Sequence, residues 1–130
     1  MFSTLLVRRT RFIGSIRTMA NITPNVSYDT VAREWRLKWS ADSDKASLSA
    51  VQDALTALDA KIKSVKGVKK VQRIVCGGCL DYKVIVALHA ADYGAWAEGG
   101  HAPEEEFLAA VRAVPGVSAV ETQTYTIMDV

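Results

Sequence analysis

The chain contains two kinds of hydrophobic periodicity, and each predicts a different secondary structure. Residues 33–39 alternate between charged and apolar positions, which is typical of a half-buried strand with one face in a core. Apolar residues then recur at spacings of three and four, which is typical of an amphipathic helix. Gly67 is expected to end this helix, after several lysines that suit the negative end of the helix dipole. The apolar helical positions are Leu48, Val51, Leu55, Leu58, Ile62 and Val65.

Two more strands are predicted on either side of a pair of glycines. Residues 68–75 and 80–88 carry apolar positions suited to strands, and Gly77 and Gly78 separate the two runs. Tight hairpin turns need residues that accept a positive φ, and glycine does so at no steric cost. The pattern therefore predicts a β-hairpin whose tip lies at the glycines.

The last third of the chain predicts a loop, a helix and a strand. Residues 90–102 contain several glycines and are expected to form a loop. Pro103 and the three glutamates after it are typical of the start of a helix, where the dipole favours acidic groups. Residues 117–128 are rich in Val, Thr and Tyr and are expected to form the final strand.

The predicted order of elements is strand, helix, strand, strand, helix, strand. The most economical closure is an α+β, ferredoxin-like βαββαβ plait, with a four-stranded antiparallel sheet and two helices on one face. We expect this domain to span residues 33–130, after an extended lead-in over residues 21–32. The length of 130 residues and a hydrophobic content of 49% suit a single core.

The N-terminal segment, residues 1–20, differs in composition from the rest of the chain. It contains four arginines and no acidic residue, whereas the remaining residues have 12 basic and 14 acidic side chains. The segment is interpreted as a mitochondrial presequence or as an extension upstream of a start at Met19. The protein is expected in the mitochondrial matrix in the first case and in the cytoplasm in the second. We expect no membrane span and no binding to DNA.

The segment Cys76-Gly77-Gly78-Cys79 has three possible roles. We favour a plain hairpin tip, because no helix N-terminus is expected there to stabilise a thiolate. A redox pair or disulfide, and a metal site with Cys76 and Cys79 as weak candidate ligands, remain open. His89 and His101 are the only histidines and their spacing fits no usual metal motif.

Beyond the cysteines, the sequence offers few groups with an obvious chemical role. No phosphate-binding loop or Ser-His-Asp arrangement is readable, so an enzyme is not expected. We also expect no cofactor. Trp35 and Trp39 are expected in the core, whereas Trp96 lies in the predicted loop and could anchor a partner. A basic run over residues 61–73 is either a solvated edge or a docking patch.

Three segments carry a resemblance to a known family. The body of the chain, residues 33–128, resembles the guanine-nucleotide-exchange domain of translation elongation factor 1 beta/delta, including its short archaeal form. The similar segments are Trp39-Ser40-Ala41-Asp42-Ser43-Asp44, Val75-Cys76-Gly77-Gly78-Cys79-Leu80 and Val114-Pro115-Gly116-Val117-Ser118-Ala119-Val120-Glu121.

This resemblance implies a non-enzymatic factor that binds a translational GTPase of the elongation factor 1-alpha type. The expected partner-binding residues are Trp96, Tyr93, Gly77, Gly78, Lys69, Lys70 and Met128. One alternative is a structural or assembly subunit that uses the plait to bind another protein subunit. Such a subunit is expected in mitochondria if residues 1–20 are a presequence. A third hypothesis is a small-molecule or metal-binding plait, or a dimeric α/β barrel enzyme, built around Cys76, Cys79, His89 and Tyr93.

Overall fold

The structure is a computed structural model that describes residues 19–130. The predicted leader therefore lies outside the described residues, apart from Met19 and Ala20. In the described part of the chain, no helix combines the length and the apolar character needed to cross a bilayer.

The described residues form a four-stranded antiparallel sheet with helices packed on one face. The elements are β1 (Ala20–Thr23), β2 (Val26–Tyr28), β3 (Thr30–Lys38), α1 (Asp42–Lys63), β4 (Val68–Val75), β5 (Asp81–His89), α2 (Ala90–Glu98), α3 (Glu104–Arg112) and β6 (Ser118–Ile127). The sheet has the strand order β4-β5-β3-β6, which is the arrangement of a ferredoxin-like fold and confirms the predicted fold class. Two short strands in the lead-in, β1 and β2, pair with each other in a separate sheet.

The alternation along β3 decides which side chains face the helices. Trp35 is fully buried and stacks on Phe107 of α3, with ring centroids 5.2 Å apart. Trp35 pairs with Val84 on β5, so these two side chains point to the same face of the sheet. The core between sheet and helices consists mainly of Trp35, Leu37, Trp39, Val51, Leu55, Ile62, Tyr82, Val84, Val86, Leu88, Trp96, Phe107, Leu108 and Val111.

Helix α1 buries the face that its periodicity predicts. Val51, Leu55 and Ile62 are buried, and Leu48 and Leu58 are half-buried against the same core. Val65, the last predicted position, packs there from the turn that follows the helix. The segment Ser43-Asp44-Lys45 at its start has φ values of +53°, +58° and +62°, so the first turn is left-handed. The regular right-handed helix follows this turn.

Gly67 follows α1 and needs to be a glycine for two reasons. Its φ is +89°, which most L side chains avoid. A Cβ atom at this position would also clash with the side chain of Asp92 in α2. The close approach lets the chain turn into β4 beneath the start of α2, where the Gly67 carbonyl accepts a hydrogen bond from the backbone N–H of His89.

The prediction of a loop over residues 90–102 was wrong for most of its length. Residues 90–98 form α2, and the connection to α3 covers only residues 99–103, with a cis peptide bond before Pro103. Four alanines in α2 favour the helix and outweigh the single glycine, Gly94. Helix α2 is short, and its two large apolar residues, Tyr93 and Trp96, are one turn apart, too few to reveal a period.

We predict that Ile62 is a strong determinant of stability because its side chain is fully buried under the sheet. Ile62→Ala is expected to lower the free energy of unfolding by about 2–5 kcal/mol, and Ile62→Val by about 0.5–1.5 kcal/mol. Urea denaturation of both variants measures the two losses. Equal losses, or a loss under about 1 kcal/mol for Ile62→Ala, would show that the site is not packed as described.

Candidate functional site

Polar side chains from four elements meet between the sheet and the helices, near the loop that joins α2 to α3. Strand β3 contributes two of them, β6 two, and the others come from α2, the loop and the first turn of α3. We call this group the Arg33–His101 cluster. Its members are Arg33, Trp35, Tyr93, His101, Glu104, Thr122 and Thr124.

Glu104 holds two donors of β3 at the centre of the cluster. The Arg33 guanidinium donates from Nε to Oε1 at 2.8 Å and from Nη2 to Oε2 at 3.2 Å, and the Trp35 indole Nε1 donates to Oε1 at 2.7 Å. The Arg33 and Glu104 side chains are only 17% and 12% exposed, so water screens this pair weakly. The hydrogen bond to Glu104 raises the pKa of Arg33, although partial burial acts in the opposite direction.

A chain of hydrogen bonds connects Arg33 to a histidine. Arg33 Nη1 donates to Thr124 Oγ1 at 2.9 Å, and this hydroxyl lies 2.7 Å from the Tyr93 hydroxyl. The Tyr93 hydroxyl in turn lies 3.0 Å from His101 Nε2. Either hydroxyl can donate to the other, because Thr124 Oγ1 keeps a second lone pair beside the one that Arg33 fills. Tyr93 donates to His101 when the imidazole carries its proton on Nδ1.

The surroundings of His101 favour the neutral form of its imidazole. Its ring packs edge-to-face against Trp96 at 5.0 Å between centroids, and its side chain is 15% exposed. Burial lowers the pKa of His101 and the nearby Arg33 charge lowers it further, while Glu104 opposes the shift. The residue also has a φ of +56°, an uncommon backbone conformation for a non-glycine residue at a candidate site.

The structure brings some of the predicted partner-binding residues together and separates others. Tyr93 belongs to the Arg33–His101 cluster. Lys69, Lys70 and Met128 line one cavity of about 150 Å³ at the end of the sheet where β4 begins. The exposed Gly77 and Gly78 lie at the other end of β4.

The expectation that Trp96 lies on a loop was wrong. Trp96 lies in α2, is only 8% exposed, and donates from Nε1 to the backbone oxygen of Ala102 at 2.8 Å. Its apolar surface is in the core and its single donor is satisfied, so little of this side chain is exposed. Its role is to support the His101 ring.

Sequence reasoning missed Arg33, Glu104 and His101 as site residues. Glu104 was interpreted only as a favourable group at a helix N-terminus, which it also is. The strand pattern contained one indication of the site. Arg33 is two positions from Trp35 on the strand, so both side chains point to the face that the helices cover. An arginine on a buried face requires a carboxylate partner, and that requirement pointed to a polar site.

The two cysteines form a disulfide in the structure, which is one of the alternatives that the sequence left open. Cys76 and Cys79 have Cα atoms 5.5 Å apart, at the tip of the β4–β5 hairpin. Among residues 19–130, no three His, Cys, Asp or Glu side chains form a group that could hold a metal ion.

Comparison with known proteins gives matches at the level of structure. No protein-family model matches the sequence, and no curated protein matches it. SnoaB, a cofactor-independent oxygenase from Streptomyces nogalater, is 16% identical with a TM-score of 0.54, over 78% of this chain and 96% of SnoaB. A protein from Caulobacter crescentus assigned as an antibiotic biosynthesis monooxygenase is 20% identical with a TM-score of 0.54, over 78% of this chain and 92% of its own.

A third similar structure binds haem. It is the haem degrader MhuD from Mycobacterium tuberculosis, with two haems bound in its active site. It is 16% identical with a TM-score of 0.51, over 77% of this chain and 98% of MhuD. At such identities these likenesses establish the ferredoxin-like fold of this chain.

The resemblance to the exchange domain of elongation factor 1 beta/delta was wrong. The similar structures include oxygenases and a haem degrader, and nothing supports exchange on a translational GTPase. The segments that carried the resemblance are a glycine hairpin, a polar turn before a helix and a Pro-Gly link into a strand. Any βαββαβ chain needs such connections, so they indicate the fold and carry no information about the family.

The expectation of a non-enzymatic protein was wrong as well, and nothing supports the alternative of a structural or assembly subunit. They depended on the lack of a readable catalytic motif, yet SnoaB and MhuD are enzymes with this fold. The polar groups of the Arg33–His101 cluster lie up to 91 positions apart in sequence, so no local motif reports them.

We predict that Glu104 stabilises the protein far more than its neighbour Glu106. Glu104→Gln removes the charge that faces the partly buried Arg33 and is expected to cost about 2–3 kcal/mol of unfolding free energy. Glu106→Gln is the matched control on the same helix turn, since Glu106 contacts Lys61 at an exposed position and is worth less than about 1 kcal/mol. Denaturant unfolding measures both, and similar losses would contradict the buried pair.

We predict a pH dependence of stability that originates at His101. Because its pKa is lowered in the folded state, the unfolded chain binds the proton more readily at mildly acidic pH. The contribution of the neutral ring is therefore complete above the unfolded pKa of about 6.5 and is lost as pH falls towards the folded pKa. His101→Gln should flatten the dependence of unfolding free energy on pH below about 7, relative to the wild-type protein. Identical slopes in the two proteins would contradict the prediction.

Proposed function

We propose that this protein is a cofactor-independent oxygenase that acts on a small phenol or enol bound at the Arg33–His101 cluster. The observation that carries the proposal is the position of Thr124 Oγ1. This one oxygen is within 2.9 Å of the Arg33 guanidinium and within 2.7 Å of the Tyr93 hydroxyl. Thr124 is on the exposed edge strand β6, so a ligand hydroxyl approaching from solvent can take its place.

A ligand oxygen in that position would meet a base and a cation at once. It would donate its proton to the Tyr93 hydroxyl, which passes its own proton to the neutral His101 Nε2 at 3.0 Å. The resulting oxyanion would lie beside the permanently charged Arg33. The lowered pKa of His101 supports this role, because the ring is unprotonated at neutral pH and ready to accept.

Anion formation is the step that such an oxygenase needs from its protein. The anion of a phenol or enol is electron-rich enough to react with O₂ without a metal. Oxidation of an activated methylene to a carbonyl takes one oxygen atom from O₂ and releases the other as water, so the substrate supplies all the electrons. The likeness in fold to SnoaB, an oxygenase without a cofactor, supports this reaction class.

Haem chemistry of the kind implied by MhuD does not fit the residues of this cluster. An axial histidine needs a free ring nitrogen facing the iron. His101 Nε2 faces the Tyr93 hydroxyl at 3.0 Å, and Nδ1 points towards Glu104 Oε1 at 3.9 Å. Both nitrogens are thus turned towards protein groups, and neither is free to bind an iron.

We predict that the protein accelerates the oxidation of anthrone to anthraquinone by O₂ above the uncatalysed rate. Anthrone is suited as a probe because its enol is a phenol and its methylene is activated. Loss of the general base is expected to lower kcat by about 10²–10⁴-fold in His101→Gln, and Tyr93→Phe should also be impaired because it breaks the proton relay. Anthraquinone absorbance and oxygen uptake are the measurements.

His89→Gln is the matched control, because His89 is exposed at the end of β5 and takes no part in the hydrogen-bond chain from Arg33 to His101. It should keep the wild-type rate. Equal rates for His101→Gln and wild type, with both proteins folded, would overturn His101 as the base. No acceleration with anthrone or with simpler phenols and enols would overturn the proposed function.

A further inference from the structure

The disulfide Cys76–Cys79 lies apart from the Arg33–His101 cluster, at the exposed tip of the β4–β5 hairpin. Cys79 is exposed, Cys76 is half-buried, and the two glycines between them have open space where a Cβ would be. The disulfide is therefore open to attack by a thiol in solution or on another protein.

The hairpin does not depend on this cross-link. The backbone N–H of Cys76 donates to the carbonyl of Asp81 at 3.0 Å, and the N–H of Trp39, directly after β3, donates to the carbonyl of Leu80 at 3.0 Å. A disulfide that closes so short a loop removes little entropy from the unfolded chain. The same hairpin can thus exist in the oxidised and the reduced form.

The surroundings of the two sulfur atoms differ, and this difference decides which sulfur is attacked and which one leaves. Cys76 Sγ accepts a hydrogen bond from the backbone N–H of Cys79 at 3.1 Å, which stabilises negative charge on Cys76. Cys79 Sγ lies 3.2 Å from Asp81 Oδ2, and this carboxylate opposes negative charge on Cys79. Cys76 is therefore the better leaving group, and the exposed Cys79 is the sulfur that a nucleophile reaches.

We propose that Cys76–Cys79 is a thiol–disulfide exchange site that reacts with a dithiol reductant. A thiolate of the reductant attacks Cys79 Sγ, the bond between the two protein sulfurs breaks, and Cys76 leaves as a thiolate. The second thiolate of the reductant then attacks the mixed disulfide and releases Cys79. The reductant ends as a disulfide, and the two cysteines take up two protons and become thiols.

The charges around the hairpin suit an incoming thiolate. Lys38 Nζ lies 2.7 Å from Asp81 Oδ1 and donates to the backbone oxygen of Cys79 at 2.8 Å. Lys38, Lys83 and Arg36 line an open cavity of about 320 Å³ beside the hairpin, together with Asp81 and Glu121. The Lys38 ammonium, held at the Cys79 carbonyl, offsets the Asp81 carboxylate at the point where an anionic sulfur approaches.

The first test measures the redox state of the full chain. The protein is equilibrated in buffers of reduced and oxidised dithiothreitol, the free thiols are alkylated, and the mass is determined. We expect a reversible change between no and two alkylated cysteines with the protein folded throughout. A disulfide that resists reduction in the folded protein, or one that cannot be reformed, would overturn the proposal.

The second test measures the asymmetry of the two sulfur atoms with single-cysteine variants. The pH dependence of alkylation should give a lower thiol pKa for Cys76 in Cys79→Ser than for Cys79 in Cys76→Ser. Adding Asp81→Asn to Cys76→Ser should lower the pKa of Cys79, because the opposing carboxylate is gone. The reverse order of the two pKa values, or no effect of Asp81→Asn, would overturn the assignment of Cys76 as the leaving group.

Discussion

A cation on the buried side of a sheet needs a counter-charge, and this constraint organises the site. Arg33 points into the layer between sheet and helices, where an unpaired guanidinium would be very unfavourable. Glu104 meets it with two hydrogen bonds and stands at the start of α3, where the helix dipole also favours a carboxylate. The pair therefore fixes the N-terminal end of α3 against the centre of β3.

That attachment determines the course of the chain before α3. The five residues between α2 and α3 must bring the chain from the end of α2 to Glu104, and His101 reaches the cluster in a left-handed backbone conformation. Trp96 packs edge-to-face against the His101 ring, and the hydroxyl of Tyr93, one turn earlier on α2, forms a hydrogen bond with the same ring. The neutral state of His101 follows, because burial and the Arg33 charge both disfavour protonation.

The fold could be predicted from the sequence, whereas the site could not. The fold depends on local patterns, whereas the site depends on contacts between residues far apart in the chain. The strand at Trp35, the helix at Ile62 and the glycine hairpin each leave a local trace, since burial repeats with the period of the element. The contact of Arg33 with Glu104 spans 71 positions and leaves no such trace. Helix α2 was not predicted either, because nine residues with a central glycine are too few to show a helical repeat of apolar positions.

The balance of charge in the cluster explains how a weak base could serve there. With a neutral ligand, Arg33 and Glu104 cancel and His101 carries no charge. Transfer of the ligand proton to His101 leaves the total unchanged but creates two new charges, each beside an opposite one. The ligand oxyanion would face Arg33, and the imidazolium Nδ1 would lie 3.9 Å from Glu104 Oε1, so that Glu104 offsets part of the repulsion between Arg33 and the protonated ring. The carboxylate that first neutralises Arg33 therefore also stabilises the protonated base, and its position at the centre of the cluster serves both purposes.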